Sequence, residues 1–239
     1  MVDVRVLDYS HEIPDDGLVI DTTSRSADLA KFLSPFRIGP CLMYPPYYSV
    51  TMENAWQYCK VYLRHVDSAK QDPHEGYFSW ARNGWSMERA VRYPMGKGAK
   101  PLYSYWNGYK LGYVEARKYI YLPLYLNAVH ASGGLALLRR VCMNSGRLYL
   151  RTFDGYDHKL EKMSYMDVLN NPRRRMGHGF ALAIALEEPG LLGTLATEGQ
   201  RYSIPPTIRR SSLVYRLPAE KLLSPGVEPA LRGCSSTPV

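Results

Sequence analysis

Glu53, Gln57 and Lys60 bring a carboxylate, an amide and an amine into one line at helical spacing, and Arg64 continues the line. These groups can transfer a proton, hydrogen-bond a polar ligand and hold an anion. Beside them Met52, Trp56, Cys59 and Leu63 recur at i, i+4, i+7 and i+11, the period of an apolar helix face. The pattern predicts a helix over residues 52–66 with Trp56 in the core. Thr51 or Ser49 would cap it, and Glu53 would lie in the first turn, where the macrodipole favours negative charge. A solvated face with a charge ladder gives the same spacing. The approach favours a site: Ser34-Pro35-Phe36, then Tyr44-Pro45-Pro46-Tyr47-Tyr48-Ser49, leads into the helix. A proline-stiffened aromatic loop delivering a helix N-terminus is one way to build a pocket floor.

Around this stretch the chain reads as short strands and helices. Residues 2–9 alternate as a strand, and Leu18 to Thr22 make a second strand that could pair with the first. Residues 67–110 mix glycine and proline with Trp80, Trp85, Trp106 and many tyrosines, a composition too aromatic for disorder. They read as an ordered insertion over a site, with a short helix at 86–91. Pro94 to Lys100 lacks the GxxxxGK[ST] spacing of a phosphate loop and reads as a basic loop. Residues 114–131 are helical with a break or kink at Pro123, and 134–143 form another helix. A strand at 147–153 then runs into an acidic loop containing Asp154, Asp157 and His158. Ser164 caps a short helix, and Gly177-His178-Gly179 opens an apolar one over 180–187. From Pro189 onward Pro, Gly, Ser and Arg dominate, with one further strand expected within 202–217.

The chain has 239 residues, enough for a core without staples. Its net charge of +8 points to anionic partners: phosphates, nucleotides or nucleic acid. Twenty tyrosines against five phenylalanines suit half-buried pockets and base stacking. No run of 18 apolar residues exists, which excludes a membrane partner, and the N-terminus lacks a signal-peptide core. Four scattered cysteines form no CxxC pair, so neither zinc nor another cofactor is expected, and a cytoplasmic setting is. The fold class expected is α+β: one domain over residues 1–217, a small sheet surrounded by several helices, and a tail over 218–239.

The order of these pieces resembles the NADAR superfamily. Ser34-Pro35-Phe36 and the Glu53-x-x-x-Gln57-x-x-Lys60 helix followed by Tyr62 are similar to its opening signature. The later helix, strand, acidic loop and Gly-rich helix start extend the likeness over about residues 32–187. The chain departs from the pattern where Gly155-Tyr156 replaces Trp-Gly after the acid and where Ala181 occupies a region that usually holds Asn. The resemblance implies metal-independent cleavage of a ribosyl N-glycosidic bond in an ADP-ribose-type or phosphorylated-nucleotide substrate. Catalytic roles then fall to Glu53, Lys60 and Asp154 or Asp157. Ser34, Phe36, Tyr48, Gln57, Gly177, His178 and Gly179 would contact substrate.

Each residue has a plainer role as well: Glu53 as a helix-start acid, Lys60 as a surface amine, the aspartates as turn formers, and His178 as a loop residue. Arg173-Arg174-Arg175 reads as a solvated turn. The rival function is a non-catalytic basic, tyrosine-rich protein binding DNA, RNA or a nucleotide. Convergence of Glu53, Gln57, Lys60 and an aspartate in one cleft favours the enzyme, whereas an open basic groove favours the binder.

Overall fold

The alternation at residues 2–9 and the apolar run near 150 become neighbouring strands. The computed structural model describes residues 2–67, 71–143 and 145–206. In chain order β1 (Asp3–Asp8), β2 (Leu18–Asp21) and α1 (Ala30–Leu33) precede a hairpin of β3 (Cys41–Leu42) and β4 (Tyr48–Ser49). Then come α2 (Met52–Tyr58), β5 (Lys60–Val61), α3 (Glu75–Ser86), β6 (Tyr103–Trp106) and β7 (Tyr109–Leu111). The second half holds α4 (Tyr113–Ala116), α5 (Leu122–Ala131), α6 (Gly134–Cys142) and β8 (Arg147–Thr152). It ends with α7 (Tyr165–Asn170), α8 (His178–Glu187) and α9 (Pro189–Gly199). The molecule is an α+β fold in which a parallel sheet of order β1-β8-β2 is backed by helices.

Strand β2 does not pair with β1 as expected, because β8 lies between them. Val4 and Val6 of β1 and Leu148 and Leu150 of β8 are fully buried against Phe180 and Ile184 of α8. Each such side chain contributes on the order of 1.5–3 kcal/mol of burial. Helix α8 is apolar on every side and buried from His178 to Ala185, as a central helix must be.

The helix predicted over 52–66 stops at Tyr58. Lys60 and Val61 instead pair with Ser104 and Tyr103 of β6, and Leu63, expected on the apolar face, is 76% exposed. Cross-strand partners overrode the local helical period here. Within 67–110 the described residues, 67 and 71–110, are ordered, but their helix is α3, and no helix forms over 87–91. With α2 and β5 it encloses a second small core of Tyr58, Val61, Tyr77, Ala81 and Trp85. Pro123 lies in the first turn of α5, where its missing N–H costs little, and a π-helical turn, Arg117–Tyr121, joins α4 to α5. Helix α9 forms within the stretch where Pro, Gly, Ser and Arg take over the composition and no helix was expected, and 200–202 form a 3-10 turn, not a strand. Residues 203–206 form no strand either, and the rest of that expectation, 207–217, lies with the 218–239 tail outside the described residues. Ser164 caps α7 as predicted, accepting from Asp167 N.

Two glycines give a prediction of opposite signs. A Cβ on Gly84 of α3 would stand 1.9 Å from the Tyr58 ring, whereas one on the exposed Gly193 of α9 meets nothing within 4 Å. Gly84→Ala is expected to lower stability by about 3 kcal/mol through overpacking. Gly193→Ala should raise it by roughly 0.5–1 kcal/mol through helix propensity. Urea unfolding of both variants checks the pair.

Candidate functional site

A cavity of about 210 Å³ opens where the start of α2, the end of β8 and the start of α8 meet. Thr51 caps α2 by accepting from Asn54 N, and Glu53 N donates to Pro35 O at 2.9 Å, fastening the Ser34-Pro35-Phe36 loop to the helix start. Ser34 and Phe36 therefore reach the cavity together with Glu53, Gln57, Lys60, Asp154, Gly177 and His178. From Glu53 to Lys60 the polar stripe is no solvated face, since Glu53 is 6% and Gln57 8% exposed, whereas Arg64 beyond it stays exposed.

Acid, amide and amine form a hydrogen-bonded chain. Lys60 Nζ donates to Gln57 Oε1 at 2.7 Å, and Gln57 Nε2 donates to Glu53 Oε1 at 2.8 Å. An ammonium offers only donors, which fixes the direction of the amide. Lys60 reaches this chain from β5, beyond the end of α2, and its Nζ stands 4.6 Å over the Trp56 ring. Trp56, expected wholly in the core, packs on the core with one side and lines the cavity with the other. Burial raises the pKa of Glu53 above its usual 4.5, although Gln57, Lys60 and Arg92 oppose the shift. Burial also lowers Lys60 below its usual 10.5, with Cys59 and Glu53 opposing. The two pKa values therefore move toward each other, each because burial disfavours its charged form.

Across the cavity Asp154 accepts from Arg92 Nη2 at 3.1 Å and from Arg175 Nη1 at 3.3 Å. Arg175, from the run read as a solvated turn, thus belongs to the site. Its neighbour Arg174 stacks on Tyr156 and pairs with Glu161, while Arg173 stays exposed. Asp154 and Gly177 stand at the end of β8 and the start of α8. A Cβ on Gly177 would lie 3.2 Å from Thr152 Oγ1 and 3.3 Å from Asp154 Cβ, so glycine permits this close approach.

Three expected site residues lie elsewhere. Asp157 is drawn to the sheet edge, where it pairs with Arg5 at 3.0 Å and accepts from Lys159 N and Leu160 N. Tyr48 points outward because the alternation of β4 turns Ser49 inward; it is 61% exposed. Gly179 faces the sheet, where a Cβ would meet Thr152 Cγ2 at 3.0 Å and Val6 Cγ1 at 3.1 Å. His158 is buried against Tyr165 and Phe180, away from the cavity.

His178 lines the cavity with both ring nitrogens engaged. Nε2 lies 2.8 Å from Thr22 O and 2.8 Å from Thr22 Oγ1, and Nδ1 lies 3.5 Å from Thr152 Oγ1. A carbonyl only accepts, so Nε2 carries the proton, and the neutral ring ties β2 to β8. Burial depresses its pKa to about 4, with the Thr22 carbonyl opposing. A depressed histidine takes up its proton more readily unfolded, so its contribution to stability is lost as pH falls from about 6.5 towards about 4. NMR titration of the His178 ring is expected to show no transition above pH ~5.

Reading the sequence missed Arg92, Tyr93, Arg117 and Tyr121 on the cavity wall. Arg117 carried a usable signal, a cation three positions before Ile120 and next to Ala116, both of them buried. Nothing local marks Arg92 apart from its neighbours in the aromatic stretch. A second cavity, of about 470 Å³, lies between α5 and α9; Leu122, Leu195, Trp106 and Tyr202 line it, with Lys118 its one charged group among the described residues. Among the described residues no group of three His, Cys, Asp or Glu side chains could hold a metal ion. Nor is any single helix among them long and apolar enough to cross a membrane.

No protein-family model, curated protein or solved structure matches this chain.

Proposed function

We propose that the protein is a NADAR-like, metal-independent N-glycosidase that cleaves a ribosyl C–N bond in an ADP-ribose-type or phosphorylated-nucleotide substrate. The observation that carries this reading is the convergence of Glu53, Gln57, Lys60 and Asp154 on one small cavity. Its volume lies below the roughly 300–1,000 Å³ usual for ligand clefts, so it takes the ribosyl end of such a substrate and not a length of nucleic acid.

Breaking the bond places positive charge on the anomeric carbon and its ring oxygen, and a carboxylate at that point stabilises it. Glu53 takes this role and accepts the proton of the attacking water as the C–N electron pair leaves with the base. Its raised proton affinity matches it to that exchange. Lys60 binds an anionic or hydroxyl group of the sugar, and Gln57 holds acid and amine at a fixed separation. Arg92 and Arg175 offer two guanidiniums to a phosphate, with Asp154 as the group a phosphate would compete with. Phe36, Trp56 and Phe153 supply flat apolar wall for a base or ribose. The reading puts the enzyme in the cytoplasm, in keeping with free thiols at Cys41, Cys59 and Cys142.

Incubation with ADP-ribose, NAD, ADP-ribosylated guanine DNA and common nucleotides tests the proposal. Wild type is expected to release a free base or ribose from at least one of them, and the Glu53→Gln protein is not. Inactivity of both, together with salt-dependent retention of DNA or RNA, would replace the enzyme by a nucleic-acid binder.

A further inference from the structure

Asn54 adjoins the proposed catalytic acid, yet its side chain points away from the cavity residues and is fully buried. All its polar capacity goes to the segment after α3. Nδ2 donates to Met87 O at 3.0 Å and to Arg89 O at 3.1 Å, and Oδ1 accepts from Val91 N at 2.8 Å. This segment has no regular structure of its own, and Arg92 follows it directly. Arg92 then crosses to Asp154 and lines the cavity. One amide thus takes the place of a strand partner, fixing three backbone groups within five residues of chain. Its own position is set by the cap of α2, since Asn54 N donates to Thr51 Oγ1 at 3.2 Å.

We propose that Asn54 is a positioning residue that holds the 87–92 arm against α2 and so delivers the Arg92 guanidinium to the anion end of the cavity. Asn54 touches no substrate; it acts through Arg92. The substrate side of this inference rests on the N-glycosidase reading, but the mechanical side does not. Glu53 and Asn54 diverge from adjacent positions of one helix turn, the first to the cavity and the second to the arm. The same turn therefore fixes the spacing between the acid and the arginine.

Two measurements on the full chain test this. The first is tryptic cleavage after Arg89 and Arg92, followed by mass spectrometry with the thermal midpoint as a control on folding. Asn54→Ala is expected to speed cleavage at least tenfold as the arm detaches. Asn54→Asp keeps the acceptor for Val91 N but loses both donors, and should fall between wild type and Asn54→Ala. Unchanged cleavage in both variants overturns the proposal. The second is affinity for ADP-ribose by calorimetry, with KM and kcat followed wherever turnover is seen. Asn54→Ala and Arg92→Ala are each expected to weaken binding about tenfold, the double variant no further, and kcat to change less than KM. A double variant weakened about a hundredfold shows independent action and overturns the route through Arg92. If wild type does not bind ADP-ribose, the functional reading loses support and the cleavage measurement alone decides the role of Asn54.

Discussion

Replacing Glu53 by Gln is expected to reduce turnover at least about a hundredfold while leaving the fold as stable as before, or more so. The amide has nearly the same shape and keeps an oxygen to accept from Gln57 Nε2, so the chain from Lys60 survives. What disappears is the ionisable group. Because burial raises the pKa of Glu53, the folded protein holds that proton more tightly than the unfolded chain does. Wild type must then lose stability as pH rises from the usual carboxylate value through the folded one. The variant has no such loss, so its thermal midpoint should equal or exceed that of wild type at neutral pH. The pH–rate profile gives a second readout. Wild type is expected to show an acidic limb above 4.5, from Glu53, and a basic limb below 10.5, from Lys60. Residual activity of Glu53→Gln should lack the acidic limb. A variant with full turnover and an unchanged profile removes Glu53 from the chemistry.

Replacing Arg117 by Met should produce the largest loss of stability, about 4 kcal/mol, with a fall in thermal midpoint on the order of 10 °C. The guanidinium is 2% exposed and lies 4.5 Å over the Tyr113 ring. No carboxylate pairs with it among the described residues; its protons go to main-chain carbonyls. Nη1 donates to Val168 O at 2.8 Å, Leu169 O at 3.3 Å and Asn171 O at 3.0 Å, and Nη2 donates to Arg174 O at 2.8 Å. Methionine fills comparable volume but takes the guanidinium from four carbonyls, of which Val168 O keeps Asn171 N, and leaving buried acceptors unpaired is the costly half of losing a hydrogen bond. These carbonyls belong to the end of α7 and the loop that carries Arg175 and Gly177 to the cavity. Protein that still folds should therefore bind an anionic ligand more weakly as well. Arg117→Lys keeps the charge without the planar fork and is expected to lose an intermediate amount. Chemical denaturation of the three proteins checks the order; equal stabilities would show the carbonyls are satisfied by water.

The α+β class, the first strand, the strand before the acidic loop, the Ser164 cap and the apolar α8 all followed from spacing and composition. Each is set by neighbours within a turn or two, where period, caps and turn residues act. Glu53 and Gln57 belong to the same group, since one helix turn separates them and local geometry alone sets them side by side. Lys60 reached the same wall for another reason. Pairing with β6, more than forty residues away, ended the helix early and left the amine on a strand whose side chain still turns to the cavity.

Tertiary structure alone decided the rest. It separated Asp154 from Asp157, two similar acids in one loop, because Arg5 of β1 captured the second while Arg92 and Arg175 met the first. It turned Tyr48 outward, moved Trp56 from core to wall and made His178 a neutral tie between β2 and β8. It also recruited Arg92 and Arg117, which a helix start and a string of carbonyls put to use from far along the chain. By itself the sequence determined which chemical groups share a turn of chain. Which of them share a cavity was decided by contacts between segments up to 156 residues apart, such as Thr22 with His178, whose register no local pattern carries.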